Sequence, residues 1–305
     1  MKLYRFLGLP DDRTPKGKAK RQLHKFLESL KKSEIYMQCP SAYNDPFDSK
    51  AIFNNLTPVQ LKEMVDYTRT CANDQPESIF ENDFNRLPSY VIPTNRFLVC
   101  CFAREEVFTA DENNIKYSDL MWAHYANNHY GVCLQYEFDI EQPSNNFISK
   151  DGYYLFTRRK GQKEDVYNPQ VNDTYPGGFN IYIKPVCYDN RVPNLLHTLQ
   201  QDSGMLDVIT QKPESWKLEK EQRLIVQAPD QCAFSFRNSY YLKYYPKCLK
   251  KIILGYRTRD DCKKYISDVV SRWTSQDIVL AQNNMRPSDK SFSIQEITHL
   301  ATIKI

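Results

Sequence analysis

Apolar residues recur along this chain with two periods, one of two residues and one near 3.6, and their alternation sets the expected fold. Strand-like runs fall at 3–7, 35–39, 97–102, 132–137, 185–188, 217–226, 251–254, 278–281 and 294–305. Helical spacing appears at 14–32, where Leu23, Phe26, Leu27 and Leu30 share one face and lysines fill the rest. Thr57-Pro58 opens another helix, followed by Leu61, Met64 and Val65. A third opens at Ser118 and Asp119, carries Leu120, Met121, Trp122, His124, Tyr125 and His129, and is closed by Gly131. Residues 194–210 read as helical. Thr258 is expected to cap a last helix bearing Cys262, Tyr265, Ile266, Val269, Val270 and Trp273.

Between these elements, residues 143–180 are polar, rich in Tyr, Asn, Lys and Gly, and end in Pro176-Gly-Gly178. They read as an insertion or lid over the core. No repeat or low-complexity linker divides the chain. The expectation is one α+β domain over residues 1–305, with a compact mixed or antiparallel sheet covered by helices.

Composition narrows the class. The 305 residues are 41% hydrophobic and 26% charged, the balance of a soluble globular protein. No apolar run approaches the roughly 20 residues that span a bilayer. Nine scattered cysteines without a Cys-x-x-Cys pair suit a reduced, cytoplasmic compartment. In Cys100-Cys101 at most one thiol can point inward. A net charge of +4 permits a nucleotide or nucleic-acid partner without demanding one.

Several chemistries are disfavoured. The chain has no G-x-x-x-x-G-K-[ST] loop, no G-x-G-x-x-G and no G-x-S-x-G. His124 and His129 are five apart, off a common helix face, whereas a helical zinc pair sits four apart. No metal is expected.

The most informative stretch is Lys217-Leu-Glu-Lys-Glu-Gln-Arg-Leu-Ile-Val226. Read as a strand, it points Glu219, Glu221 and Arg223 to one face, with Leu218, Gln222, Leu224 and Val226 on the other. Three ionic side chains on one strand face are costly to bury unless they pair or line a cleft. Such a face is either a solvated edge or a cleft wall. Three further polar–aromatic patches accompany it: Tyr4-Arg5, Asn44-Asp45-Pro46-Phe47-Asp48, and Met121 to Tyr125. The Asn-Asp loop has a plain use in capping its own turn, or forms a pocket rim through Asn44 and Asp45. Trp122 and Tyr125 share a helix face and read as core or as a ligand shelf. His124 lies off that stripe, on surface or in a cleft.

In combination these blocks resemble a bacterial family, domain-of-unknown-function family 2971. The matching signature is Leu3-Tyr-Arg-Phe6, Tyr43-Asn-Asp-Pro-Phe-Asp48, Val99-Cys-Cys-Phe102, Leu120-Met-Trp-Ala-His-Tyr-Ala126 with His129-Tyr-Gly-Val132, Pro185-Val-Cys-Tyr188, Trp216 to Arg223, and Ile252-Ile-Leu-Gly255. The layout also resembles the ADP-ribosyltransferase superfamily, including its DNA-modifying toxin branch, although a Ser-Thr-Ser strand block and a first-strand histidine are missing. That second resemblance implies NAD as substrate and no metal. Tyr4 and Arg5 would hold the dinucleotide, Arg5 at its phosphates, and Tyr125 or Trp122 would stack on nicotinamide. Glu221 would stabilise a ribosyl cation and Glu219 would serve the acceptor. Asn44, Asp45, His124 and Arg223 complete the expected cofactor contacts. DNA or RNA is the expected acceptor class, in a toxin or phage-defence setting. Two other readings stand beside it. One is a non-catalytic nucleotide or nucleic-acid binding module. The other is a carboxylate- or metal-dependent hydrolase or nuclease using Asp45, Asp48, Glu219 and Glu221.

Overall fold

A computed structural model describes residues 1–40, 96–109, 117–150, 153–157, 166–167, 179–191, 204–228, 234, 239–273, 278–286 and 291–297. The Thr57 helix and the Asn44–Asp48 loop lie outside them. In chain order the elements are β1 (Lys2–Leu7), α1 (Lys16–Lys31), β2 (Glu34–Met37), β3 (Phe97–Arg104), α2 (Ser118–His124), β4 (Val132–Glu137), β5 (Leu155–Thr157), β6 (Val166–Tyr167) and β7 (Asn180–Pro185). There follow β8 (Cys187–Tyr188), α3 (Gly204–Ile209), β9 (Gln211–Lys212), β10 (Glu221–Gln227), β11 (Tyr240–Lys243), β12 (Leu249–Leu254), α4 (Asp260–Val270), β13 (Val279–Arg286) and β14 (Ser291–Glu296).

The fold is α+β. Eight strands form one sheet in the order β14-β13-β12-β4-β1-β3-β10-β7, antiparallel except where β12 meets β13. A second sheet runs β2-β11-β5-β6. The main core lies between the two. Leu98, Cys100, Phe102, Leu134, Tyr136 and Leu224 on one face of the large sheet pack with Ile35, Met37, Leu155, Tyr240 and Leu242 of the small one. The apolar stripes of α1 (Leu23, Leu27, Leu30) and α4 (Cys262, Ile266, Val269) join the same core. A smaller core covers the opposite face, where Tyr4, Phe6, Ala103 and Cys133 meet Met121 and Trp122 of α2. Cys100 and Cys101 point to opposite faces, and only Cys100 is buried.

Four expectations are corrected. The helix opened by Ser118 ends at His124, not at Gly131. Asn127, Asn128 and His129 instead take positive φ values of 48°, 51° and 68°, a left-handed run that folds the chain back before β4. Gly131 is needed for close approach: a Cβ there would lie 2.0 Å from the Leu7 carbonyl oxygen. Thr258 does not cap α4, since its hydroxyl donates to the Gly131 carbonyl at 2.9 Å and Arg259 holds the cap position. Core also reaches into the stretch read as a polar insertion, because Phe147, Leu155 and Phe156 are buried and β5 pairs with β11. The fourth correction falls on the charged strand and is taken up with the site.

Candidate functional site: a buried ionic quartet under two exposed rings

The stretch expected as one strand over 217–226 is two elements. Glu214–Glu219 is a 3₁₀ turn entered through Pro213, and Lys220 closes it with φ 46°. β10 then starts at Glu221. Glu219 and Glu221 are therefore not neighbours across a pleat. The left-handed Lys220 turns the chain between them, and its carbonyl accepts from the Arg104 backbone amide at 3.0 Å, which anchors the turn to β3.

Even so, both carboxylates reach one cation. Lys212 Nζ donates to Glu219 Oε2 at 2.6 Å and to Glu221 Oε2 at 3.1 Å. Arg223 Nε donates to Glu221 Oε1 at 2.7 Å, and its far nitrogen caps the Ile209 carbonyl. The Cys101 thiol also bonds Glu221, and the Glu221 amide donates to the Tyr188 hydroxyl at 2.7 Å. Lys212 is delivered by parallel pairing of the two-residue strands β8 and β9, which places it beside Tyr188. Sequence reasoning missed Lys212, Tyr188 and Cys101. The available signal was a lysine locked between Ile209 and Pro213, near two carboxylates that need a cation.

The quartet is deeply buried. Arg223 is 0% exposed, Glu221 4%, Lys212 6% and Glu219 8%. Its solvent side is formed by two rings, Tyr125 at 41% and Trp216 at 37% exposed. The Tyr125 hydroxyl donates to Glu219 Oε1. The Lys212 ammonium sits 4.8 Å from the Trp216 ring centre, within cation–π range.

Burial and neighbours separate the two acids. Burial pushes Glu221 up, but Arg223 and Lys212 outweigh it and hold the carboxyl down to about 2. Among the described residues no arginine pairs with Glu219. Burial raises it above the usual carboxylate range despite Lys212 and Tyr125. Burial pulls the Lys212 ammonium down, but Glu221 and Glu219 together hold it above its ordinary value. Burial and Glu219 likewise push the Tyr125 hydroxyl up, so it stays protonated and donating.

The other expected residues divide by sheet face. Tyr4 and Glu221 both pair in register with Ala103, so they share a face. Tyr4 is nevertheless core: its ring packs on Phe108 and its hydroxyl donates to Glu105. Arg5, one residue on, pairs with Leu134 and points to the opposite face, where its charge acts on Cys100, Tyr136 and Tyr244. The pocket expected to unite Arg5 with Glu221 and Arg223 is thus not formed by Arg5. Trp122 is buried edge-on to Phe6 and stacked with His129, so it is core and not a shelf. His124 is exposed with its ring near Tyr125. Arg223 holds Glu221 and has no open side for a ligand. Asn44 and Asp45 lie outside the described residues.

Residues 121–224, about a third of the chain, match the family described as "Protein of unknown function (DUF2971)". That segment holds the whole quartet and both rings, and supports the first resemblance. No curated protein and no solved structure matches the chain. Among the described residues no helix is long and apolar enough to cross a membrane.

Proposed function

We propose that the quartet cleaves the nicotinamide–ribose bond of NAD, as an ADP-ribosyltransferase or NAD glycohydrolase. The supporting observation is the pair of carboxylates gathered on one lysine with their protonation pushed apart, beneath two exposed rings. Such divergence is how two acids take different roles. Glu221, kept ionised, supplies negative charge to the ribosyl cation that forms as nicotinamide leaves with the bonding electrons. Glu219, nearer solvent and raised, takes the proton of the hydroxyl or water that attacks the anomeric carbon. Tyr125 and Trp216 offer planar surface for nicotinamide. Arg223 and Lys212 are positioning residues that fix Glu221. An enzyme of this kind would deplete NAD or mark a macromolecule, the role of a toxin or defence effector.

A second reading has its own observation. Both oxygens of Glu221 are committed to Lys212 and Arg223, so the quartet can serve as a clamp that holds the two rings as a non-catalytic nucleotide shelf. A metal-dependent hydrolase is less favoured, because the Lys212 ammonium occupies the place between the carboxylates that a cation would take.

The test is nicotinamide release from NAD, with NAD affinity measured in parallel. Glu221→Gln is expected to lower turnover by about a hundredfold or more while changing affinity much less. Equal rates in wild type and variant would remove Glu221 from the mechanism. Binding without release would leave the shelf, and no NAD binding would remove the NAD-cleaving reading and leave the shelf, for another nucleotide, ahead.

A further inference from the structure

The strongest unexplained feature lies across the large sheet from the quartet, on α1. Residues 13–32 carry eight lysines and arginines against the single acid Glu28, so this segment is +7 while the whole chain is +4. The apolar side of α1 is spent on the core through Leu23, Leu27 and Leu30. Lys18, Arg21 and Lys25, at i, i+3 and i+7, form an exposed row on the outward side, roughly 10 Å long. None of the three has an ion-pair partner among the described residues; Glu28 is taken by Lys31 and Lys32. At its N-terminal end the row meets a groove of about 620 Å³. There Lys16, Arg257 and Arg259 are balanced by Asp12, Asp260 and Asp261, so the uncompensated charge belongs to the helix.

This placement breaks a local rule. The first turn of a helix carries partial positive charge and favours acids. Here it has no acid, no side-chain cap and four cations within its first six residues (Lys16, Lys18, Lys20 and Arg21). Local rules broken without an internal gain mark functional surface. We propose that the outward face of α1 is a docking surface for the backbone of duplex DNA, used whether or not the quartet is catalytic. A membrane is disfavoured, because an interfacial helix needs its apolar face in the lipid and that face is in the core. Single strands are disfavoured, because the row itself, Lys18, Arg21 and Lys25, carries no aromatic side chain to stack bases. Duplex DNA presents a charge every roughly 1.7 Å of axis, so a row of cations meets phosphates without reading sequence. B-form grooves admit a helix, and the narrow major groove of A-form RNA does not.

The experiment is fluorescence anisotropy of the full chain with a short labelled DNA duplex across salt. Three phosphate contacts, from Lys18, Arg21 and Lys25, give a log–log slope near −2.7, a loss of about fortyfold between about 50 and 200 mM salt. The variant Lys18→Gln/Arg21→Gln/Lys25→Gln is expected to bring the slope close to zero with its circular dichroism and Tm unchanged, and each single variant to reduce it by about 0.9. No duplex binding at low salt, or binding that the triple and single variants leave alone, would overturn the proposal. So would equal binding of an RNA duplex, or capture by phosphatidylserine vesicles without capture by DNA.

Discussion

The quartet and the α1 row use the same kinds of side chain in opposite electrostatic settings. In the quartet, two cations and two carboxylates lie within hydrogen-bond reach, out of water, and cancel. On α1, cations stand in water with almost no acid near them. Burial makes the first arrangement strong, directional and nearly independent of salt, and any missing partner is costly. Exposure makes the second weak within the fold, long-ranged and dependent on ionic strength. One protein can therefore hold a fixed charged site and a steering surface on opposite faces of one sheet.

Removing a member should break the comparison most sharply in the quartet. Arg223→Met leaves Glu221 buried on Lys212 alone, and unfolding in urea should show a loss of roughly 3–5 kcal/mol. A loss below about 1 kcal/mol would mean that the quartet is solvated and not buried.

Acid should come next. Glu221 is held to about 2 in the fold, below its ordinary value of 4.5. It binds fewer protons folded than unfolded, so its contribution is present above about pH 4.5 and is lost as pH falls toward 2. Glu219 is displaced the other way, so its contribution changes above about pH 4.5, where stability rises as pH falls, and it leaves the window below 4.5 to Glu221. Urea midpoints followed through this window should fall in wild type and fall less in Glu221→Gln. Parallel curves would assign the acid loss to other groups.

Salt and the α1 surface give the smallest effects. Lys16→Glu should stabilise the chain by about 0.3–1 kcal/mol at low salt, because it replaces a cation with an acid in the first helical turn. High salt should erase the gain. The triple Gln variant of α1 should stay within about 0.5 kcal/mol of wild type in stability. A destabilisation like that of Arg223→Met would show that the α1 cations are structural and equate the two regions.

The strands that position the site were largely legible from pattern. Val132–Glu137 keeps the bounds expected of it, and Phe97–Arg104 extends the strand expected over 97–102 by two residues. The mixed, mainly antiparallel sheet followed from such runs. The turn before Glu221 was not legible, because Leu218-Glu219-Lys220-Glu221 alternates as well in a strand as in a 3₁₀ turn. The left-handed break fell on Lys220, a residue that announces no such conformation, where glycine or asparagine would have. Glu219 and Glu221 meet through Lys212 and not through strand alternation. Lys212 itself was hidden, since strands of two residues have no periodicity to read. Tyr4 and Arg5 form one polar–aromatic patch in the sequence but not in the fold. In a strand, adjacent residues point apart, and only the partner strand decides which one shares the face.

Trp216 also gives the site its own light source. The chain has three tryptophans, and the other two differ in setting: Trp122 is sealed in the core and Trp273 is half-covered beside α4. Trp216 alone combines an open ring with an ammonium 4.8 Å from its centre, and that ammonium is the hub of both carboxylates. Emission from Trp216 therefore registers any change in Lys212's allegiance, whether a proton arrives at Glu219 or a planar ligand covers the ring. A soluble quencher reaches this indole and not Trp122, so occupancy of the site can be followed in the unlabelled wild-type chain, in real time.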